Sequence, residues 1–113
     1  MEYAYNDWCI ARLAEEIGDT ATYEKYKALS KSYINYYDPQ TGFMRGKDLK
    51  GNWHVPFNPR YSDHRNDDYC EGTAWQWAWF VPHDIEGLIA LMGGQEKFIG
   101  RLDSLFVAES KIE

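Results

Sequence analysis

The strongest constraint on this chain is a change of rhythm: apolar residues keep helical spacing at both ends and lose it in the middle. From about Glu2 to Ile17, Ala4, Trp8 and Ala11, and alongside them Ile10, Leu13, Ala14 and Ile17, recur three or four positions apart. That is the period of a helix with one buried face. Gly18 stops the helix. Asp19 or Thr20 caps a second one, whose Tyr26, Leu29, Tyr33 and Tyr36 or Tyr37 form a stripe. Asp38-Pro39-Gln40-Thr41-Gly42 then makes a turn. The two helices read as a hairpin with a short link. Met1 stands directly before the first helix with no capping residue ahead of it, so the sequence is expected to be a segment of a longer protein.

Between Phe43 and Tyr69 the helical period disappears, and Gly46, Gly51, Pro56 and Pro59 punctuate the run. Phe43-Met44-Arg45 and Asn52-Trp53-His54-Val55 are expected to be short strands around a turn at Lys47 to Gly51. At roughly 27 residues this connection exceeds ordinary loops, which points to function or disorder. Trp53, Phe57, Tyr61 and Tyr69 favour an ordered functional loop. Helical spacing returns from Glu71 to Val81, ended by Pro82. It resumes from Ile85 to Met92 behind an Asp84 cap, and after Gly93-Gly94 from about Gln95 to Ala108, with Phe98, Leu102, Leu105 and Phe106 on one face. No alternation of strand and helix suggests a parallel sheet. The expected class is mainly α: one partial domain over 1–113, built of helical hairpins and a long aromatic loop, like part of an α/α toroid. Alone, such a set of helices leaves apolar surface through which the segment can self-associate.

Composition narrows the partners. The net charge is −6 and the Lys and Arg residues are dispersed, so no basic stripe exists for a phosphate backbone, and nucleic acid is not expected. No apolar run is long enough to span a bilayer, so no membrane partner is expected either. Cys9 and Cys70 lack metal-ligand spacing and are expected to be buried free thiols. Nine Tyr, five Trp and five Phe exceed what a small core needs; the excess suits stacking on a flat ligand such as a sugar ring.

The densest run of chemically useful residues is Asp63 to Gln76. Glu71 is expected to open a helix, with Trp75 and Trp79 on the same face at i+4 and i+8. A carboxylate beside an aromatic surface suits glycoside hydrolysis: rings stack on the sugar's apolar face while the acid protonates the leaving oxygen. A helix N-terminus favours the ionised carboxylate, whereas burial against tryptophan favours the neutral acid. Spacing alone also allows Glu71 to be a plain helix-start carboxylate. Gln76 is placed to hydrogen-bond a sugar hydroxyl or to stay in solvent. His83 and Asp84 could form a substrate-ligand pair, although a helix cap also accounts for Asp84. Asp63, Asp67 and Asp68 with His64 carry hard ligands without the spacing or glycine of a calcium loop, and read as a solvated acidic turn. No Ser–His–Asp set, phosphate-binding glycine loop or nucleophile elbow is present.

Glu71-Gly72-Thr73-Ala74-Trp75-Gln76, followed by Trp79-Phe80-Val81-Pro82-His83-Asp84-Ile85-Glu86-Gly87-Leu88, resembles the family 92 glycoside hydrolases, exo-acting α-mannosidases. So do Asp38 to Gly46, Asp7-Trp8-Cys9-Ile10-Ala11 and the stretch from Gly93-Gly94 to Phe106. The resemblance implies an (α/α)6 toroid preceded by a β-sandwich domain, and calcium-dependent, inverting removal of terminal α-mannose from glycans. It gives Glu71 the role of general acid; Trp75, Gln76, His83 and Asp84 are the expected substrate-binding residues beside it. Family members commonly carry Asn where this chain has Thr73. The resemblance places the general base and the calcium ligands outside these residues, so no metal is expected to bind this segment and the segment alone is expected to be inactive. Family members are usually exported, which implies a periplasmic or secreted protein.

Overall fold

The computed structural model describes residues 1–63, 68–70 and 72–107, and the backbone of 111 and 112. Helix α1, Glu2–Ile17, ends where Gly18 takes a left-handed φ of 79°. Its N–H reaches the Glu15 carbonyl while that of Asp19 reaches Ala14, the paired closure of a Schellman turn. Asp19 at once starts α2, Thr20–Leu29, accepting from the Thr22 N–H (3.2 Å) and hydroxyl (2.7 Å). Two helices thus meet with almost no linker. The buried residues of α1 are Ala4, Ala11 and Ala14, and small side chains let α2 pack close alongside. The larger apolar residues face outward instead, with Leu13 64% and Ile17 71% exposed. Cys9 is exposed, as is Cys70, contrary to the expected burial: Cys9 lies more than a quarter-turn away from the alanine face.

The second helix is shorter than its tyrosine stripe predicts. It stops at Leu29, and Ser32–Tyr36 forms a 3-10 turn. Two bonds explain the break. The Ser30 hydroxyl donates to the Lys27 carbonyl (2.6 Å), and the Ser30 carbonyl, which would accept from Ile34 in a continuing helix, is taken by His83 Nε2 (2.8 Å). Ile34 donates to Lys31 instead. The tightened turn drives Tyr33 into the core, 1% exposed.

Strands β1, Tyr37–Asp38, and β2, Phe43–Met44, pair antiparallel around the expected turn, with Asp38 opposite Phe43. Phe43–Met44 therefore pairs backward rather than with Asn52 to Val55. The forward hairpin exists but begins later, through a single bridge between Lys47 and Trp53 and a bond from His54 N–H to the Gly46 carbonyl (2.9 Å). Its turn is held by Asp48, which accepts from the Lys50 and Asn52 N–H groups (2.8 and 2.9 Å). Farther on, β3, Tyr61–Ser62, pairs parallel with β4, Lys111–Ile112.

Helix α3 covers only Ala74–Trp77, not the eleven positions expected from Glu71 to Val81. Its start is set by a capping box: Thr73 N–H donates to Gln76 Oε1 (2.8 Å) and Gln76 N–H to Thr73 Oγ1 (3.4 Å). Its end at Trp77 comes five residues ahead of Pro82, which biases only the residue directly before it away from helix. Helix α4, Ile85–Leu91, has Asp84 as its cap. Gly93 and Gly94, both at positive φ, close it and open α5, Gln95–Leu105. The class is mainly α, as expected. The core lies where the hairpin and the helices meet, formed by Ala4, Tyr33, Phe43, Met44, Ala74, Ala78, Val81, Leu88 and Met92.

Two glycines in these helices should behave oppositely. A Cβ at Gly87 would collide with the Asp84 carboxylate and the Tyr33 hydroxyl, whereas one at Gly100 would meet nothing within 4 Å. Gly87→Ala should therefore destabilise by about 1–3 kcal/mol through overpacking, and Gly100→Ala should stabilise by about 0.5–1 kcal/mol through helix propensity. Denaturant midpoints of the two variants check both signs.

Candidate active site

The site is built where the long loop returns to β2. Asp38 anchors it. Its carboxylate, 3% exposed as a residue, accepts from the Gln40 N–H (3.0 Å), the Thr41 hydroxyl (3.0 Å) and Arg45 Nη1 (2.9 Å). Burial pushes this carboxyl upward, but the hydrogen bonds from Arg45, Gln40 and Thr41 outweigh it and hold it below the ordinary carboxylate range. Arg45 carries the tie onward. Its Nη2 donates to the His54 carbonyl (2.8 Å), and its guanidinium lies 4.4 Å from the Phe57 ring centre and 5.6 Å from that of Trp53. One ion pair thus joins the β1–β2 turn to the aromatic loop.

A cleft of about 410 Å³ opens beside this junction, lined among others by Tyr36, Met44, Arg45, His54, Asp68, Cys70 and Trp77. His54 Nδ1 donates to Asp68 Oδ1 at 2.8 Å. Gly46 permits this, since a Cβ there would strike the Asp68 carboxyl. Next along the chain, the Tyr69 hydroxyl donates to the Met44 carbonyl of β2, and the Cys70 carbonyl accepts from the Trp77 indole at 2.9 Å. Residues 68–70 are therefore each tied to a different element.

Glu71 lies outside the described residues, as do His64 and Asp67 of the acidic turn. Asp68 of that turn is paired with His54 rather than simply solvated. Trp75 and Trp79 do not share a helix face, because α3 ends at Trp77. Trp75 packs edge-on against Phe43 (4.9 Å) with the Arg101 guanidinium 4.9 Å away, and Trp79 packs edge-on against Phe98 (5.3 Å). Both indole nitrogens are buried with no acceptor among the described residues. Gln76 is engaged in the capping box. His83 donates to Ser30 and sits edge-on to Tyr33. Asp84 caps α4 through the Gly87 N–H and also accepts from Tyr33 (2.6 Å) and Lys31 (2.7 Å). Burial raises the Asp84 carboxyl, yet these bonds, Lys31 first, leave it below its ordinary range, and burial together with Asp84 raises the Tyr33 phenol. None of Trp75, Gln76, His83 and Asp84 lines the cleft.

Sequence reading passed over Arg45, His54, Asp68 and Trp77 as members of one site. The Thr73-x-x-Gln76 pattern is a capping-box signature and would have fixed the start of α3. The His54–Asp68 pairing had no local signal, because the two lie fourteen positions apart in the sequence.

Residues 1–113 match the glycosyl hydrolase family 92 catalytic domain. An uncharacterized secreted glycosidase of Arthroderma benhamiae is 33% identical across 93% of this chain, which corresponds to 16% of that protein. A family GH92 inverting mannosidase from Bacteroides thetaiotaomicron is 46% identical, with a TM-score of 0.84 over 89% of this chain and 13% of its own. A family GH92 α-mannosidase of the same organism, solved in complex with mannoimidazole, is 38% identical, with a TM-score of 0.90 over 99% of this chain and 15% of its own. The helical hairpins therefore have the fold of the corresponding part of an α/α-toroid catalytic domain. The chain spans under one-fifth of each of these relatives. With one family matched along its whole length and solved members superposing on its helices, this chain belongs to glycosyl hydrolase family 92.

Proposed function

We propose that this chain is one sector of an (α/α)6-toroid α-mannosidase that removes terminal α-linked mannose from glycans with inversion, and that Glu71 is its general acid. The observation that carries the reading is the Glu71-Gly72-Thr73-Ala74-Trp75-Gln76 motif within a chain alike along its length to solved mannosidases, one of them holding mannoimidazole. Cys70, the residue before Glu71, lines the cleft, which agrees with an acid delivered there. Trp75 keeps a buried indole N–H without an acceptor among the described residues, but it is packed on Phe43 and Arg101 away from the cleft, so its contact with sugar rests on the motif alone. The bonds of Gln76, His83 and Asp84 give them a supporting part, fixing where α3 begins, where α2 ends and where α4 begins.

Inversion needs a second carboxylate roughly 6.5–9.5 Å from the first, with water between them. That base is assigned to residues outside this chain. Among the described residues no three Asp, Glu, His or Cys side chains gather where a cation could sit. Any calcium site of the complete enzyme is assigned to other residues. The secreted relative supports an exported protein.

The complete enzyme should release mannose from α-mannosides with β-mannose as the first anomer seen by proton NMR. Release of α-mannose first would exclude inversion, and no release would overturn the reading. The 113 residues alone should release none.

A further inference from the structure

His54 is held at three points. Its N–H donates to the Gly46 carbonyl (2.9 Å), its carbonyl accepts from Arg45 Nη2 (2.8 Å), and its ring donates through Nδ1 to Asp68 Oδ1 (2.8 Å). The preceding Trp53 ring takes the Arg45 guanidinium at 5.6 Å and the Lys47 ammonium at 4.3 Å. Asp68 reaches the imidazole only because residue 46 is glycine, since a Cβ there would lie 2.4 Å from its carboxyl. Stability does not account for this fixing. The two side chains are 48% and 36% exposed, and ion pairs that open to water contribute little to a fold.

An ionised carboxylate only accepts, so Nδ1 carries the proton shared with Asp68 and Nε2 is the polar atom left over. It has no partner among the described residues, and His54 lines the cleft together with Tyr36 and Trp77. Nε2 accepts a hydrogen bond when the ring is neutral and donates one when it is protonated; a sugar hydroxyl answers both. Aromatic rings beside such an atom suit a pyranose, which has an apolar C–H face and a rim of hydroxyls. The cleft volume of about 410 Å³ is in the range of small-molecule sites.

We propose that His54 binds a hydroxyl of the leaving glycan, on the far side of the scissile bond from the terminal mannose, and that Asp68 is its positioning residue. The inference rests on the mannosidase reading above, but not on where Glu71 lies. The exposure of the pair selects the leaving glycan. An enzyme that removes a terminal sugar must enclose that sugar, while the rest of the glycan runs out to solvent, where an exposed histidine can meet it.

The test is His54→Ala in the complete enzyme, on the α-linked mannobiose it cleaves best and on nitrophenyl α-mannoside. Both backbone bonds of His54 survive the change. KM for the mannobiose should rise about 3–10-fold, the worth of one hydrogen bond, with kcat within about twofold. KM for nitrophenyl α-mannoside, which has no second sugar, should stay within about twofold. Asp68→Ala should show the same contrast and carries the test if His54→Ala does not fold. Combining the two should be no worse than His54→Ala alone, because Asp68 acts through the imidazole. Equal changes on both substrates, or no change, would overturn the proposal. If the unaltered enzyme releases mannose from neither substrate, the mannosidase reading itself fails. If it cleaves both and neither variant shows the contrast, only the role of His54 fails.

Discussion

Replacing Glu71 with Gln is expected to slow mannose release from a natural α-linked glycan by about 10²–10⁴-fold, the usual worth of a general acid. The reason is the leaving group. A sugar alkoxide is a poor one, and without a proton in the transition state its departure carries the full cost of an uncompensated negative charge. Gln keeps the size and polarity of Glu and offers no acidic proton at neutral pH. Substrate binding should be little changed, so the loss should appear in kcat with KM nearly constant. Steady-state kinetics on a mannobiose, with the folded state of the variant confirmed by its unfolding transition, provide the check.

Asp38→Ala should destabilise the fold by about 3–5 kcal/mol, because it leaves the buried Arg45 charge without its partner. The pair is short and enclosed, with side chains 4% and 10% exposed, and Asp38 also holds Gln40 and Thr41 in the turn. The same loss should not recur when both partners go: Asp38→Ala with Arg45→Leu should cost less than the sum of the single changes, by an amount that chemical denaturation of the three variants would measure. The pH dependence has a definite sign. Since the folded state holds Asp38 below its ordinary value, its contribution is complete above the unfolded carboxylate range, near pH 4, and is lost as pH falls through the lower folded value. Asp84, shifted the same way, adds to acid lability in the same window. Stability that rose on acidification through this range would contradict both assignments.

The parts of the fold legible in the sequence were those with local causes. Gly18, Asp19, Asp84 and the Gly93-Gly94 pair each place a helix end by their own backbone or side chain, and the structure puts those ends there. The ends that were misplaced depend on distant partners. Leu29 ends α2 because His83, more than fifty positions away, takes the Ser30 carbonyl. No stripe of tyrosines records that bond. The short α3 is a different case, since its capping box was written locally but stood in competition with an apolar period running on to Val81. The site divides likewise. The motif beginning at Glu71 is contiguous and could be read directly. Its surroundings could not: Asp68 meets His54 and Gly46, and Tyr69 meets Met44, only because the aromatic loop folds back on β2. Trp75 and Trp79 read as a sugar platform from their spacing, yet each is packed against a phenylalanine from another element.

The central claim is that Glu71 donates the proton, and its most direct test is the dependence of rate on the leaving group. For a series of aryl α-mannosides with leaving groups of rising pKa, the complete enzyme should show kcat/KM that changes little across the series. Glu71→Gln should match it for the most acidic phenol and fall away steeply as the phenol becomes more basic. Parallel dependences for the two enzymes would mean that Glu71 does not protonate the leaving oxygen, and would contradict the assignment.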